Sequence, residues 1–383
     1  MRERLDPQLL RVDPRVKDGF YTDKYFNRAK EILEKDNHHP YVRMQFFQKN
    51  DKACLCGIDE AIGILRESLD EDFHKLNVNA LYDGDLVDAH ETVMTIEGDY
   101  SLFAHMETVM LGALARRTRV ATNAYNTIVS ASRFTTKPIM FFPARFDIYQ
   151  AQAGDGYAYE IARQASGDST GGVSTHAQGE WWGADGLGTI PHALIAAYGG
   201  DTPVATLKFA EYIDPKVKRV SLVDFDNDCV NTAIDVAWEM WQMYVRCLED
   251  PRYKLHAVRL DTSGTMVDES LQSEMGQFKP TGVNKELVWA VHNELNAPRT
   301  HEEFGKYCKD IGIIVSGGFT PDKIKDFEDN NVPVIGYGVG SSMFRGNYDF
   351  TADIVGICED RTWRDCAKVG RKYNANSRLE TVK

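Results

Sequence analysis

Two glycine-rich stretches stand out for what they leave bare. Ser316-Gly317-Gly318 and Gly336-Tyr337-Gly338-Val339-Gly340-Ser341 each continue a short apolar run. Backbone N–H groups with no side chain in the way form anion-binding concavities, and loops after the last strands of a barrel hold phosphate in this manner. The plain alternative is glycine in tight turns. Arg259 and Asp261 are two residues apart, so on an extended segment they share a face. They can close a rim as an ion pair. They can also act separately, the arginine on a phosphate or pyrophosphate and the aspartate on a sugar hydroxyl or a developing cation. Asp224, Asp226 and Asp228 crowd one loop and can hold Mg²⁺ or simply face solvent. In Gly186-Leu-Gly188-Thr189-Ile-Pro191-His192, Thr189 can cap a helix that has Pro191 in its first turn. His192 then stands near a helix start, a place that favours an anionic partner, or is a structural histidine.

These residues need a frame. From about residue 138, apolar runs of strand length alternate with helical stretches: 139–142, 220–223, 257–260, 311–315 and 334–337. Near-continuous apolar strands with helical returns predict a parallel sheet covered by helices, and five such units favour an α/β fold of irregular (β/α) barrel type. Its site lies at the C-terminal strand ends, where the glycine stretches, Arg259, Asp261 and the Asp224 loop fall. Before it, the chain predicts an N-terminal α+β domain. Thr22 or Asp23 caps a helix through Leu33, 42–47 alternates as a strand, 53–57 is a short strand and 59–68 a helix. Segments 81–87 and 92–98, with an Asp-Gly turn signal, predict a hairpin or small sandwich. A long helix follows over 103–124, carrying Glu107 and the basic cluster Arg116, Arg117 and Arg119. The expected domains are 1–130, 131–355 for the barrel, and a polar, basic tail over 356–383 packing on the first.

Composition narrows the partners. With 44 Lys plus Arg against 57 Asp plus Glu, the 383-residue chain carries −13 and argues against broad nucleic-acid binding, though not against a small anionic substrate. It has no apolar run of membrane-span length, and Met1–Lys17 lacks the apolar core of a signal peptide. Seven cysteines without paired metal-ligand spacing predict reduced thiols and a cytoplasmic protein, Cys54-x-Cys56 being one face of a strand.

Together these motifs resemble the nicotinate phosphoribosyltransferase family, a branch of the type II phosphoribosyltransferases, over roughly 22–355. The segments that carry the resemblance are Gly188-Thr-Ile-Pro-His192, Val223-Asp-Phe-Asp226, Arg259-Leu-Asp-Thr-Ser263, Val315-Ser-Gly-Gly318 and Gly336-Tyr-Gly-Val-Gly-Ser341, with Thr22-Asp-Lys-Tyr25, Glu107-Thr108 and 81–98 matching the N-terminal domain. The resemblance implies attack of a pyridine nitrogen on phosphoribosyl pyrophosphate, giving nicotinate mononucleotide for NAD synthesis. It implies Asp261 at the ribose with Asp224 beside it, Arg259 on the pyrophosphate side, and Ser316, Gly317, Gly318, Gly338, Gly340 and Ser341 around the 5′-phosphate. His192 matches a histidine phosphorylated by ATP, and Mg²⁺ accompanies the substrates. Phe142 matches a ring stacked on the pyridine, with Arg145 at its polar substituent and Thr170 in a substrate loop. Tyr25 matches a tyrosine reaching in from a neighbouring subunit, so a homodimer or higher homo-oligomer is implied, with neither nucleic acid nor membrane as partner. This chain departs from the pattern at Pro143, at Phe146 (where a second basic residue is common), in the loop Gly167-Asp-Ser-Thr-Gly-Gly172, and in the aromatic stretch 181–185. The tail also lacks the cysteine-rich zinc element of some relatives. The rivals are a nicotinamide enzyme using Asp168 as acceptor, a quinolinate enzyme, against which Phe146 and the setting of His192 speak, and a non-catalytic phosphate-binding barrel.

Overall fold

The computed structural model describes residues 2–132, 137–276 and 278–382. In chain order the described strands are β1 (Tyr41–Gln48), β2 (Ala53–Cys54), β3 (Asn77–Ala80), β4 (Leu86–Val87), β5 (Met94–Asp99), β6 (Ile139–Phe141), β7 (Gly172–Val173), β8 (Arg219–Leu222), β9 (Leu255–Leu260), β10 (Gly312–Val315), β11 (Gly336–Val339), β12 (Phe350–Glu359), β13 (Thr362–Asp365) and β14 (Glu380–Thr381). They divide between two compact units, 1–125 with 153–168 and 343–383, and 126–152 with 169–342.

The first unit is built on an antiparallel sheet of order β13-β12-β1-β5-β3-β14. Val42, Met44 and Phe46 of β1 share one face by strand alternation and join Ile58, Ile62, Leu65, Ile96, Met110 and Leu114 in its core. Helix Lys24–Lys35 starts after Asp23, and helix Glu107–Ala131 is longer than its apolar pattern predicts. The segment expected to form a hairpin splits instead. Gly84 makes a turn at φ +91°, but β4 pairs with β2, while β5 pairs with β1 and β3. Arg116 and Arg117, basic candidates in sequence, are consumed structurally. Asp155 takes Arg116 at 2.8 Å and Arg117 at 3.0 Å, and Arg117 also holds Glu60 at 2.6 Å, tying helix Gln152–Ser166 into this unit. After residue 356 the chain is not only tail: β12 lies beside β1, and β13 and β14 extend the sheet at its edges. All seven cysteines are free thiols; Cys54 is buried, which pushes it up to about 12.

The second unit is the barrel. Its six strands are parallel in the order β7-β6-β11-β10-β9-β8, with helices such as Cys229–Arg246, Lys285–Leu295 and Pro321–Asp329 as returns. Residues Leu222, Val258, Leu260, Ile313, Val315, Tyr337 and Val339 are buried along it. β7, two residues long, has no periodicity to announce it. Among the described residues no helix is long and apolar enough to cross a membrane.

Candidate active site

Each parallel strand delivers its chemistry just past its C-terminal end. After β8, Asp224 accepts a hydrogen bond from His192, Nε2 to Oδ1 at 3.1 Å. His192 is the first residue of the helix His192–Ala197, whose cap position is Pro191. Thr189 is therefore not the cap; its hydroxyl meets the Ile190 carbonyl at 3.4 Å. The imidazole is about half exposed and lies 6.4 Å from the Phe225 ring. Burial raises the Asp224 carboxyl above its ordinary value, the facing His192 opposes this, and Asp261 adds to it. Asp228 is occupied elsewhere: it caps helix Cys229–Arg246, accepting from the Asn231 backbone at 3.2 Å and side chain at 2.7 Å. Among the described residues no group of three His, Cys, Asp or Glu side chains is assembled for a metal.

After β9, Asp261 and Arg259 act separately. Asp261 Oδ1 accepts the Ser316 hydroxyl at 2.7 Å, joining the segments just past β9 and β10, and among the described residues no ion pair to Arg259 closes the rim; Arg259 instead donates to the Ile190 carbonyl at 3.5 Å. Burial lowers the Arg259 guanidinium, Asp261 and Asp224 support it, and Arg145 opposes it, so these charges form one electrostatic cluster. Buried Nε of Arg259 has no partner among the described residues. A buried donor left unmade is costly, so it suits an anionic ligand brought into the cluster.

After β10, Gly317 and Gly318 take φ +83° and +72°, two left-handed residues in a row. A Cβ at 317 would lie 3.3 Å from Asp261 Oδ1, whereas the space at 318 is open. Successive backbone N–H groups in such a turn make an anion concavity. Ser342 donates its hydroxyl to the Phe319 carbonyl at 2.8 Å and so fastens this loop to the one after β11.

The β11 glycines differ from the β10 pair in being packed against side chains. Gly338 is buried within its strand, and a Cβ there would stand 2.8 Å from the Phe142 ring and 3.1 Å from Ser316 Cβ. At Gly340 it would meet Phe146 at 2.7 Å. Both positions make room for rings from the segment after β6. Phe142 N–H is bonded to the Val339 carbonyl at 2.8 Å, and exposed Arg145 reaches over Phe146 with 5.6 Å to its centroid. Ser341 is exposed just beyond, and Thr170 is half-buried ahead of β7. Tyr25 belongs to the first unit, exposed in the first turn of helix Lys24–Lys35 and 3.4 Å from Asp23 Oδ2. Asp168 also belongs to that unit and is buried. Sequence reasoning passed over Asp268. It is fully buried, accepts the Cys229 N–H at 3.0 Å and caps the turn at Ser270, steadying the ground behind Asp224 and Asp261.

Comparison with known proteins agrees with this fold. A family model described as the N-terminal domain of quinolinate phosphoribosyl transferase matches residues 23–118. The crystal structure of nicotinate-nucleotide pyrophosphorylase from Pyrococcus furiosus is 28% identical, with a TM-score of 0.73 over 97% of this chain and 85% of that one. Human nicotinic acid phosphoribosyltransferase (14%, TM-score 0.60, 88% and 74%) and the Francisella tularensis nicotinate-nucleotide pyrophosphorylase (14%, 0.53, 92% and 99%) share the fold. No curated protein matches the sequence. Residues 23–118 thus match a quinolinate phosphoribosyl transferase domain, and the chain as a whole is similar to solved structures of the type II phosphoribosyltransferases. Within that class, its neighbours carry the names nicotinate phosphoribosyltransferase and nicotinate-nucleotide pyrophosphorylase.

Proposed function

We propose that this protein transfers the phosphoribosyl group of phosphoribosyl pyrophosphate to nicotinate, releasing pyrophosphate and forming nicotinate mononucleotide, with ATP stimulation through His192. Phosphoribosyl transfer in NAD biosynthesis is the chemistry of its class. The observation that carries the reading is the Asp261–Ser316 bond set against the left-handed glycine pair, which couples a fixed carboxylate to a phosphate concavity. As the C1–pyrophosphate bond breaks, positive charge grows on the ribose. Asp261, held by Ser316, faces that charge without needing to reorganise. Arg259 receives the departing pyrophosphate with its unpartnered Nε–H. Phe142 stacks on the pyridine and Arg145 meets its carboxylate. Mg²⁺ would supply charge neutralisation on the pyrophosphate; Asp224 and Asp261 offer the hard oxygen ligands it prefers. With His192 Nε2–H donated to Asp224, the lone pair stays on Nδ1, the tautomer a phosphoryl acceptor needs. Tyr25 completes the pocket from a second subunit, in a cytoplasmic homodimer or larger homo-oligomer.

The match of 23–118 to a quinolinate family favours a second reading, in which quinolinate replaces nicotinate and carbon dioxide is released. One assay separates them. Protein, Mg²⁺ and phosphoribosyl pyrophosphate are incubated with nicotinate, quinolinate or nicotinamide, with and without ATP, and the nucleotide is quantified. Product from nicotinate, raised by ATP and lost in Asp261→Ala, supports the proposal. Product from quinolinate alone replaces it with the second reading, and product from none of the three overturns both.

A further inference from the structure

Lys323 has no counter-ion among the described residues. The neighbouring lysines of this unit find one: Lys137 pairs with Glu328, Lys285 with Asp326, and Lys325 with Asp329. Lys323 instead sits half-buried in the first turn of helix Pro321–Asp329, its N–H accepted by the cap Thr320. Its ammonium folds over Phe319, 4.3 Å from the ring centroid, with the Phe327 ring at 5.9 Å. The charged group acting on it is a like charge, Lys279, and burial together with that repulsion pushes the ammonium down to about 8. Two cations brought together at the positive end of a helix are electrostatically unfavourable unless an anion joins them.

The surroundings say which anion. Phe319 directly follows Gly318, and its carbonyl is the one gripped by Ser342. Lys279 lies on the connection that follows Asp261. Gly282, three residues on, is bonded through its N–H to Met266 O at 2.8 Å, and a Cβ there would be 3.0 Å from Gly264 Cα. Lys279, on the connection after β9, and Lys323, at the start of the helix after β10, thus follow the same end of strands β9 and β10 as the glycine pair. The backbone there supplies N–H donors but no full positive charge, and a phosphate dianion is bound best by both.

We propose that Lys279 and Lys323 are the side-chain cations for the 5-phosphate end of the phosphoribosyl substrate. This deepens the phosphoribosyl reading of the same site and rests on it. Ribose 5-phosphate, nicotinate mononucleotide and pyrophosphate are each titrated calorimetrically into the wild-type chain and the variants Lys323→Met, Lys323→Arg and Lys279→Ala. Thermal unfolding is followed in parallel. Exposed Lys279 gives a variant whose folding is not in question. Binding of ribose 5-phosphate and of the mononucleotide should weaken about tenfold in Lys323→Met and several-fold in Lys279→Ala, with pyrophosphate binding unchanged and Lys323→Arg near wild type. Unchanged ribose 5-phosphate affinity in both Lys323→Met and Lys279→Ala, or a loss confined to pyrophosphate, overturns the proposal. If the wild-type chain transfers no phosphoribosyl group yet ribose 5-phosphate binding still depends on Lys323, the enzymatic reading fails and this one stands.

Discussion

A methyl group added at Gly338 should cost the enzyme its pyridine and spare its phosphate site. The backbone at 338 lies outside the left-handed region, so the residue is glycine for space alone. A Cβ would approach the Phe142 ring to 2.8 Å, where carbon atoms ordinarily rest about 3.5–4.0 Å apart, so the ring must move by about 0.7–1.2 Å. The strand cannot simply give way. Phe142 is anchored by its bond to Val339, and Ser316 Cβ closes the other side at 3.1 Å. Overpacking of this kind costs ~1–3 kcal/mol of stability. A positioning group displaced by about 1 Å can lower turnover up to ~100-fold. Gly338→Ala should therefore unfold at a modestly lower temperature and lose ~10–100-fold in kcat/KM for the pyridine at saturating phosphoribosyl pyrophosphate, while binding ribose 5-phosphate nearly as before. Adding Phe142→Leu should recover part of the stability but none of the pyridine efficiency, a non-additive pair as expected for touching residues. A folded Gly338→Ala variant with wild-type kcat/KM would refute the reasoning, because the ring would then have no part in holding the base.

Two further outcomes are expected. Asp224→Asn keeps the shape but removes the charge that orients His192. Loss of a charge-assisted bond worth ~1.5–3 kcal/mol should cut phosphate incorporation from labelled ATP ~10–100-fold and flatten the ATP response, and undiminished labelling would contradict the role. Glu107, in the first unit, is pushed up to about 7 by burial, with Asp353 and Asp23 adding to it. Its carboxyl binds a proton more tightly folded than unfolded, so stability is highest below about pH 4.5 as far as this group goes. It then declines as pH rises to about 7, and stays flat above. The decline is at most ~3 kcal/mol, reduced by its partial exposure. Glu107→Gln should lose less urea resistance than the wild type between pH 5 and 8; parallel profiles would exclude the effect.

What could be read from the chain alone follows the range of the interaction involved. Helix Lys24–Lys35 and strand β1 were legible because an amphipathic stretch and an apolar alternation are local signals, although Asp23 makes no capping bond and β1 is buried on both faces toward its end. The parallel strands were legible as apolar runs, though β11 begins two residues later than its apolar run, since glycine carries no hydropathy to mark the strand. β12 was hidden because Phe350–Glu359 straddles the expected boundary between barrel and tail, and only its pairing with β1 assigns it to the first sheet. The turn at Gly84 was foreseen but not its ladder, which is fixed by Ala53 and Cys54 some thirty residues earlier. In the site, residue types at strand ends were readable. The Asp261–Ser316 bond, the exclusion of Asp228 by its capping duty, and the fit of Phe142 into Gly338 all join residues with no local signal between them.

The position of β12 bears on how the molecule comes to exist. Its register with β1 brings Tyr41 opposite Cys358 and Gln48 opposite Phe350, so the middle of the first sheet joins segments about three hundred residues apart. During synthesis, one edge of β1 stays unpaired while the whole barrel is being made. Contacts of such separation are slow to form, and an open strand edge is an invitation to pair with the wrong chain. In the barrel β6 waits in a similar way for β11, with Ile139 opposite Tyr337, while β8, β9 and β10 pair with nearer neighbours in sequence. Nascent chains halted before Phe350 should therefore be the most chaperone-dependent stage in the life of this protein, with the N-terminal sheet, the first part made, among the last to close.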